Sequence, residues 1–260
     1  MKIPYYQINA FVTGSSFSGN PAGVCLPDVW PEDGAMQAIA AENGLSETAF
    51  VVPEGEGYRI RWFTPKVEID LCGHATLAAG HAILEHISPE LTLVEFRSIS
   101  GLLTVTRKEG ILEMDFPSWL PQRCEPPKGL AGMLGHEPVE TLSTRDLICV
   151  FESQEQILAL RPDMEAIAEI EYLGVAVTAP GRECDFVSRF FGPKVGIPED
   201  PVTGSAHSSL VPYWSGRLGK DNLTARQLSA RGGELVCSQR GDRVGIGGRA
   251  VTYISGHIHA

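Results

Sequence analysis

The chain contains one stretch twice, and this duplication limits its possible folds more than any other feature. Residues 61–84 read RWFTPKVEIDLCGHATLAAGHAIL, and residues 189–214 read RFFGPKVGIPEDPVTGSAHSSLVPYW. The pairs Arg61/Arg189, Phe63/Phe191, Pro65/Pro193, Lys66/Lys194, Val67/Val195 and Ile69/Ile197 share an offset of 128, and after a three-residue insertion Gly73/Gly204 and Ala75/Ala206 continue at 131. An offset near half of a 260-residue chain predicts two versions of one fold unit. The proline-rich residues 117–138 mark the boundary, giving halves at 1–117 and 118–260, with a last strand at about 249–260 that can cross back to the first half.

Each copy reads as a strand, a polar turn and then a helix. Cys72-Gly73-His74 and Thr203-Gly204-Ser205 fall at the helix N-termini, where unpaired N–H groups and the helix dipole favour an anion such as a carboxylate. The first helix carries Leu71, Ala75, Leu77, Ala78, Ala79, Ala82, Ile83 and Leu84, so it has no wide polar face and is expected inside a surrounding sheet. Glycine at either mouth lets the backbone approach a ligand closely. The duplication therefore predicts a two-sided site: Gly73 and His74 from one half, Gly204 and Ser205 from the other. Asp200 precedes the second helix, either as an ordinary turn or capping residue or as a partner for a cationic or hydroxyl group. Asn20, in Gly19-Asn20-Pro21, is read equally as a turn former and as a residue lining the site.

Elsewhere the pattern predicts strands at residues 3–12, 22–26, 45–52, 58–63, 91–96, 102–106 and 111–116, and a helix at 31–43 closed by Gly44. The second half adds strands at 147–151 and 172–178, a partly helical 155–169, and short strands after residue 223. His257-x-His259 is read as an exposed tail.

A net charge of −11 argues against a broad basic surface for nucleic acid or anionic membrane and towards a small-molecule partner. There is no apolar run long enough for a membrane span, and six scattered cysteines form no C-x-x-C pair, so a reduced, cytoplasmic protein is expected. Dinucleotide and phosphate-loop fingerprints are missing, and no histidine spacing matches a zinc set, so neither a cofactor nor a metal is assigned.

The two halves are unequal. Glu47 aligns near residues 174–176, which offer no carboxylate, so Glu47 is a candidate sole acid/base that removes a proton and returns it elsewhere. Its bland reading is a solvated charge at a strand entrance. Cys72 raises a rival mechanism, a two-thiol racemase, but the matching position is Thr203.

RWFTPKVEIDLCGHAT with EDPVTGSAH, GNP near the start and GLSETAFV resembles the phenazine-biosynthesis PhzF-like isomerase family, which is related in fold to diaminopimelate epimerase and proline racemase. The resemblance implies an α+β fold of two pseudo-symmetric domains, each a curved sheet or barrel around a central helix. It also implies a cofactor-free site with Glu47 as acid/base, His74, Asp200 and Ser205 as polar substrate contacts, Gly73 and Gly204 as backbone contacts, and a homodimer. The function expected is isomerisation by proton transfer next to a carboxylate on a small, amino-substituted acid. An epimerase or racemase using Cys72 is the first alternative, and a catalytically silent metabolite-binding protein is the second.

Overall fold

The computed structural model describes all 260 residues, and the chain divides into two compact units, residues 1–115 with 247–260 and residues 116–246. The first contains β1 (Lys2–Ala10), β2 (Asn20–Cys25), α1 (Asp33–Asn43), β3 (Glu47–Glu54), β4 (Gly57–Phe63), β5 (Glu68–Ile69), α2 (Gly73–Ala82), β6 (Leu93–Ser98), β7 (Gly101–Lys108) and β8 (Ile111–Pro117). The second contains β9 (Gln122–Arg123), α3 (Leu130–Leu134), β10 (Glu140–Ser143), β11 (Leu147–Val150), α4 (Gln154–Ala159), α5 (Met164–Ala168), β12 (Val175–Pro180), β13 (Phe186–Gly192), β14 (Ile197–Asp200), α6 (Gly204–Leu218), β15 (Asn222–Gln227), β16 (Gly233–Arg240) and β17 (Arg243–Gly248). The final strand, β18 (Ala250–His259), pairs antiparallel with β1 along its length, Lys2 opposite His259. His257 and His259 are therefore strand residues rather than a tail, because β1 supplies ladder partners that no local pattern announces.

The two units repeat one pairing order. In the first, β1 runs antiparallel to β2, β2 parallel to β3, β3 antiparallel to β4, β4 parallel to β6 and β6 antiparallel to β7. The second gives the same alternation through β10, β11, β12, β13, β15 and β16. Each parallel step needs a crossover, and helices supply it: α1 and α2 in the first unit, α4 with α5 and then α6 in the second. The α+β class and the duplicated architecture predicted above are thus observed.

Helix α2 packs against β1, β2, β3, β7 and β18, and all but one of its residues are buried, as expected of a helix enclosed by its sheet. Gly80 sets how close that packing is, since a Cβ there would stand 2.5 Å from Val105 of β7. The helix then loosens into a π turn over Ile83–Ile87, so the long helix read from the sequence is shorter at both ends. In α6 the interior Pro212 cannot donate to the Ser208 carbonyl four residues earlier, and the Trp119 N–H takes that acceptor at 2.9 Å.

Strand pairing relocates the three-residue insertion. Trp62 faces Ile69 in the first unit and Phe190 faces Asp200 in the second, so Ile69 corresponds to Asp200 at offset 131, not to Ile197. The insertion falls before the short strand, where the second unit has a 3-10 turn at Pro193–Val195. Glu68 and Glu199 then correspond as well, and each receives a two-pronged arginine pair: Arg61 Nε to Glu68 at 2.7 Å, Arg189 Nε to Glu199 at 2.7 Å.

Candidate active site

Glu47 is the first residue of β3. Gly44 ends α1 in the left-handed conformation (φ 61°), which turns the chain into a strand held between β2 and β4. The carboxylate therefore enters the structure at a buried position, 6% exposed, and the solvated-charge reading is overturned. Cys72 is the N-cap of α2 in extended conformation, and Gly73 and His74 form its first turn. The Thr76 hydroxyl donates to the Cys72 carbonyl and anchors that junction.

These three side chains meet although residue 47 lies 25 positions before residue 72. His74 Nε2 stands 3.1 Å from Glu47 Oε2, and the Cys72 Sγ stands 3.6 Å from His74 Nδ1. His74 is 2% exposed, and burial pushes its imidazole down to about 3, so at neutral pH the contact joins a carboxyl group to a neutral ring rather than to a cation. A neutral imidazole carries one proton. Placing it on Nε2 lets the Cys72 thiol donate to Nδ1 and sets a hydrogen, not a lone pair, beside an ionised Glu47; both neighbours favour the same tautomer. His74 Nε2 makes no well-aligned hydrogen bond within the chain. Glu47, Cys72 and His74 each offer a ligand atom, all within 4.8 Å of one another.

In the second unit Asp200, Thr203 and Gln227 are brought together. The Thr203 hydroxyl donates to Asp200 Oδ2 at 2.5 Å, the Thr203 amide donates to Gln227 Oε1 at 2.9 Å, and the Gln227 amide group donates to the Asp200 carbonyl at 2.8 Å. Gly204 opens α6, buried, with Ser205 half-buried beside it. His207 Nδ1 donates to the Thr203 carbonyl at 2.8 Å, the task Thr76 performs in the first unit, and burial holds His207 near 4. Asn20 is fully buried at the start of β2, opposite Ala10.

Register explains why only one unit carries the carboxylate. Thr48 pairs with Phe63 and Val175 with Phe191, so Glu47 corresponds to Gly174. A Cβ at Gly174 would stand 2.3 Å from the Phe190 ring, so any side chain there requires Phe190 to move. Sequence reading missed a third buried carboxyl, Asp146, in the bend just before β11; it is 4% exposed, and burial pushes it up to about 6 against the pull of Arg145. Its only local signal was Arg145-Asp146 just before an apolar strand, which is also how an ordinary turn reads.

Fold and site together define a class: duplicated α+β units of the epimerase type, with a helix N-terminus beside a buried carboxyl group. A hydroxyproline epimerase from Agrobacterium vitis shares the fold, with a TM-score of 0.68 over 99% of this chain and 92% of its own at 10% identity. The family model described as phenazine biosynthesis-like protein (PhzC-PhzF) matches residues 8–256, and the chain belongs to that family. An uncharacterized isomerase from Pseudomonas aeruginosa is 52% identical over 259 residues, 99% of each chain, and a crystal structure of a PhzF family protein from Enterococcus faecalis matches with a TM-score of 0.95 at 45% identity over the whole of both chains. With relatives of this closeness named isomerases, the chain is an isomerase. No helix is long and apolar enough to cross a membrane, and none of the six cysteines forms a disulfide.

Proposed function

We propose that this isomerase moves a proton within a small, amino-substituted carboxylic acid, with Glu47 as its acid/base and without a cofactor. The observation that carries the reading is the buried Glu47 carboxyl 3.1 Å from a neutral His74 at the mouth of α2. Glu47 as carboxylate takes the proton from the carbon next to the substrate carboxylate. The same group, now an acid, returns it to another carbon of the conjugated system, so the base is regenerated and no net proton is lost. Ground-state carboxylates resist this deprotonation. The Gly73 and His74 amides at the helix N-terminus, with the His74 ring N–H, are oriented donors for the charge that develops. We assign Gly73, His74, Asp200, Gly204 and Ser205 to substrate binding. A two-base epimerisation lacks support, since Gly174 stands at the Glu47 position of the second unit and Thr203 at the Cys72 position.

Screening small carboxylic acids by NMR in deuterated water tests this directly. A substrate should gain deuterium at carbon, and Glu47→Gln should slow that exchange by about 10²- to 10⁴-fold with little change in KM. Cys72→Ala should leave most of the exchange. The reverse pattern, an active Glu47→Gln and a dead Cys72→Ala, would make Cys72 the base, and binding without any exchange would make the chain a metabolite-binding protein.

A further inference from the structure

We propose that Glu47, Cys72 and His74 form a binding site for a thiophilic divalent cation such as Zn²⁺, and that occupancy blocks the acid/base. The three ligating atoms lie within 4.8 Å of one another. Carboxylate, thiolate and imidazole are the donor types of a three-ligand zinc site, with the fourth position open. A tetrahedral zinc holds N, O and S donors about 3.3–3.6 Å apart, so the set needs a contraction of about 1 Å, which side-chain torsions supply.

Charge and burial favour the ion over its parts. Binding releases the Cys72 thiol proton to solvent, so one thiolate, one carboxylate and one neutral imidazole around a divalent ion sum to zero formal charge. A neutral cluster suits residues that are 6%, 4% and 2% exposed. The helix mouth also stabilises the thiolate. In the tautomer above His74 Nδ1 carries the lone pair and stands 3.6 Å from the Cys72 sulfur, so Nδ1 is the nitrogen that would take the ion. Two of the ligands lie two residues apart at one anchored helix start and the third opens a strand held between two others, which gives the set a firm backbone frame.

Metal binding does not depend on the proposed reaction, and its test has its own spectrum. His257 and His259, both exposed, are first replaced by alanine to remove a competing surface site. Titration with Co²⁺ should then saturate at one ion per chain with a sulfur-to-cobalt charge-transfer band, and Cys72→Ser should abolish the band. In Zn²⁺ calorimetry, Glu47→Gln and His74→Asn should each weaken binding by at least about tenfold. Should Cys72→Ser fail to fold, these two variants decide the matter. Absence of saturable binding, a band that survives Cys72→Ser, or unchanged affinity in both other variants overturns the proposal. With an active substrate in hand, Zn²⁺ should inhibit exchange reversibly, EDTA restoring it.

Discussion

The mouths of α2 and α6 share a backbone and differ in chemistry. Both helices begin after an extended N-cap, Cys72 or Thr203, and in both the side chain four residues on donates to the N-cap carbonyl. At α2 the space around this scaffold holds Glu47 and His74. At α6 the same places hold Gly174 and Ser205, while Asp200 stands where the first unit has Ile69. The Asp200 carboxylate is tied to Thr203 within its own unit, whereas His74 Nε2 faces the Glu47 carboxyl without a well-aligned hydrogen bond. Duplication repeats the backbone of the helix mouth, and different side chains at three or four positions give one copy Glu47 with His74 and the other the Asp200–Thr203 pair.

The largest stability effect expected from this asymmetry is at Gly174. Gly174→Ala places a methyl group against Phe190 and should cost about 1–3 kcal/mol in urea unfolding. An unchanged midpoint would mean that the second unit could have hosted a Glu47 counterpart. Next is Asp146. Its folded pKa is raised to about 6 from 3.8, so its stabilising contribution is full below pH 3.8 and is lost as pH rises through 6. Asp146→Asn should therefore stabilise by about 3 kcal/mol more at pH 8 than at pH 3.5, and a flat difference across that range would refute the shift. The two buried histidines act in the opposite direction. With folded values of about 3 and 4, His74 and His207 stay neutral in the fold while the unfolded chain protonates below 6.5, so the protein should lose about 2 kcal/mol for each between pH 7 and pH 5, and His207→Gln should remove one share. The smallest effect compares the paired arginines. Arg189 with Glu199 is more buried than Arg61 with Glu68, so Arg189→Lys should cost about 1 kcal/mol and Arg61→Lys only a few tenths, read by thermal denaturation.

Much of this was legible from residue order. The Arg61–Pro65 and Arg189–Pro193 matches announced the duplication, and the unbroken apolar character of residues 75–84 announced an enclosed helix. Gly73 and Gly204 fell at helix starts as read, because caps and turns are local. The placement of the insertion was misread because Ile69 and Ile197 match as letters; only the pairing of Trp62 with Ile69 and of Phe190 with Asp200 aligns the strands. The reading of His257 and His259 as a tail failed for the same reason: their ladder partners lie in β1, at the opposite end of the chain.

The sequence by itself determined that the chain is two copies of one unit, that each copy offers a helix mouth to an anion, and that Glu47 has no carboxylate twin. These follow from patterns within a few turns or strands of chain, where propensity, capping and hydrophobic period operate. Tertiary structure alone decided that Glu47, Cys72 and His74 are neighbours, that the Phe190 ring crowds Gly174, and that Asp146 is buried. Those facts depend on register between strands far apart in sequence, and register is fixed by the packing of the whole sheet rather than by any one segment of it.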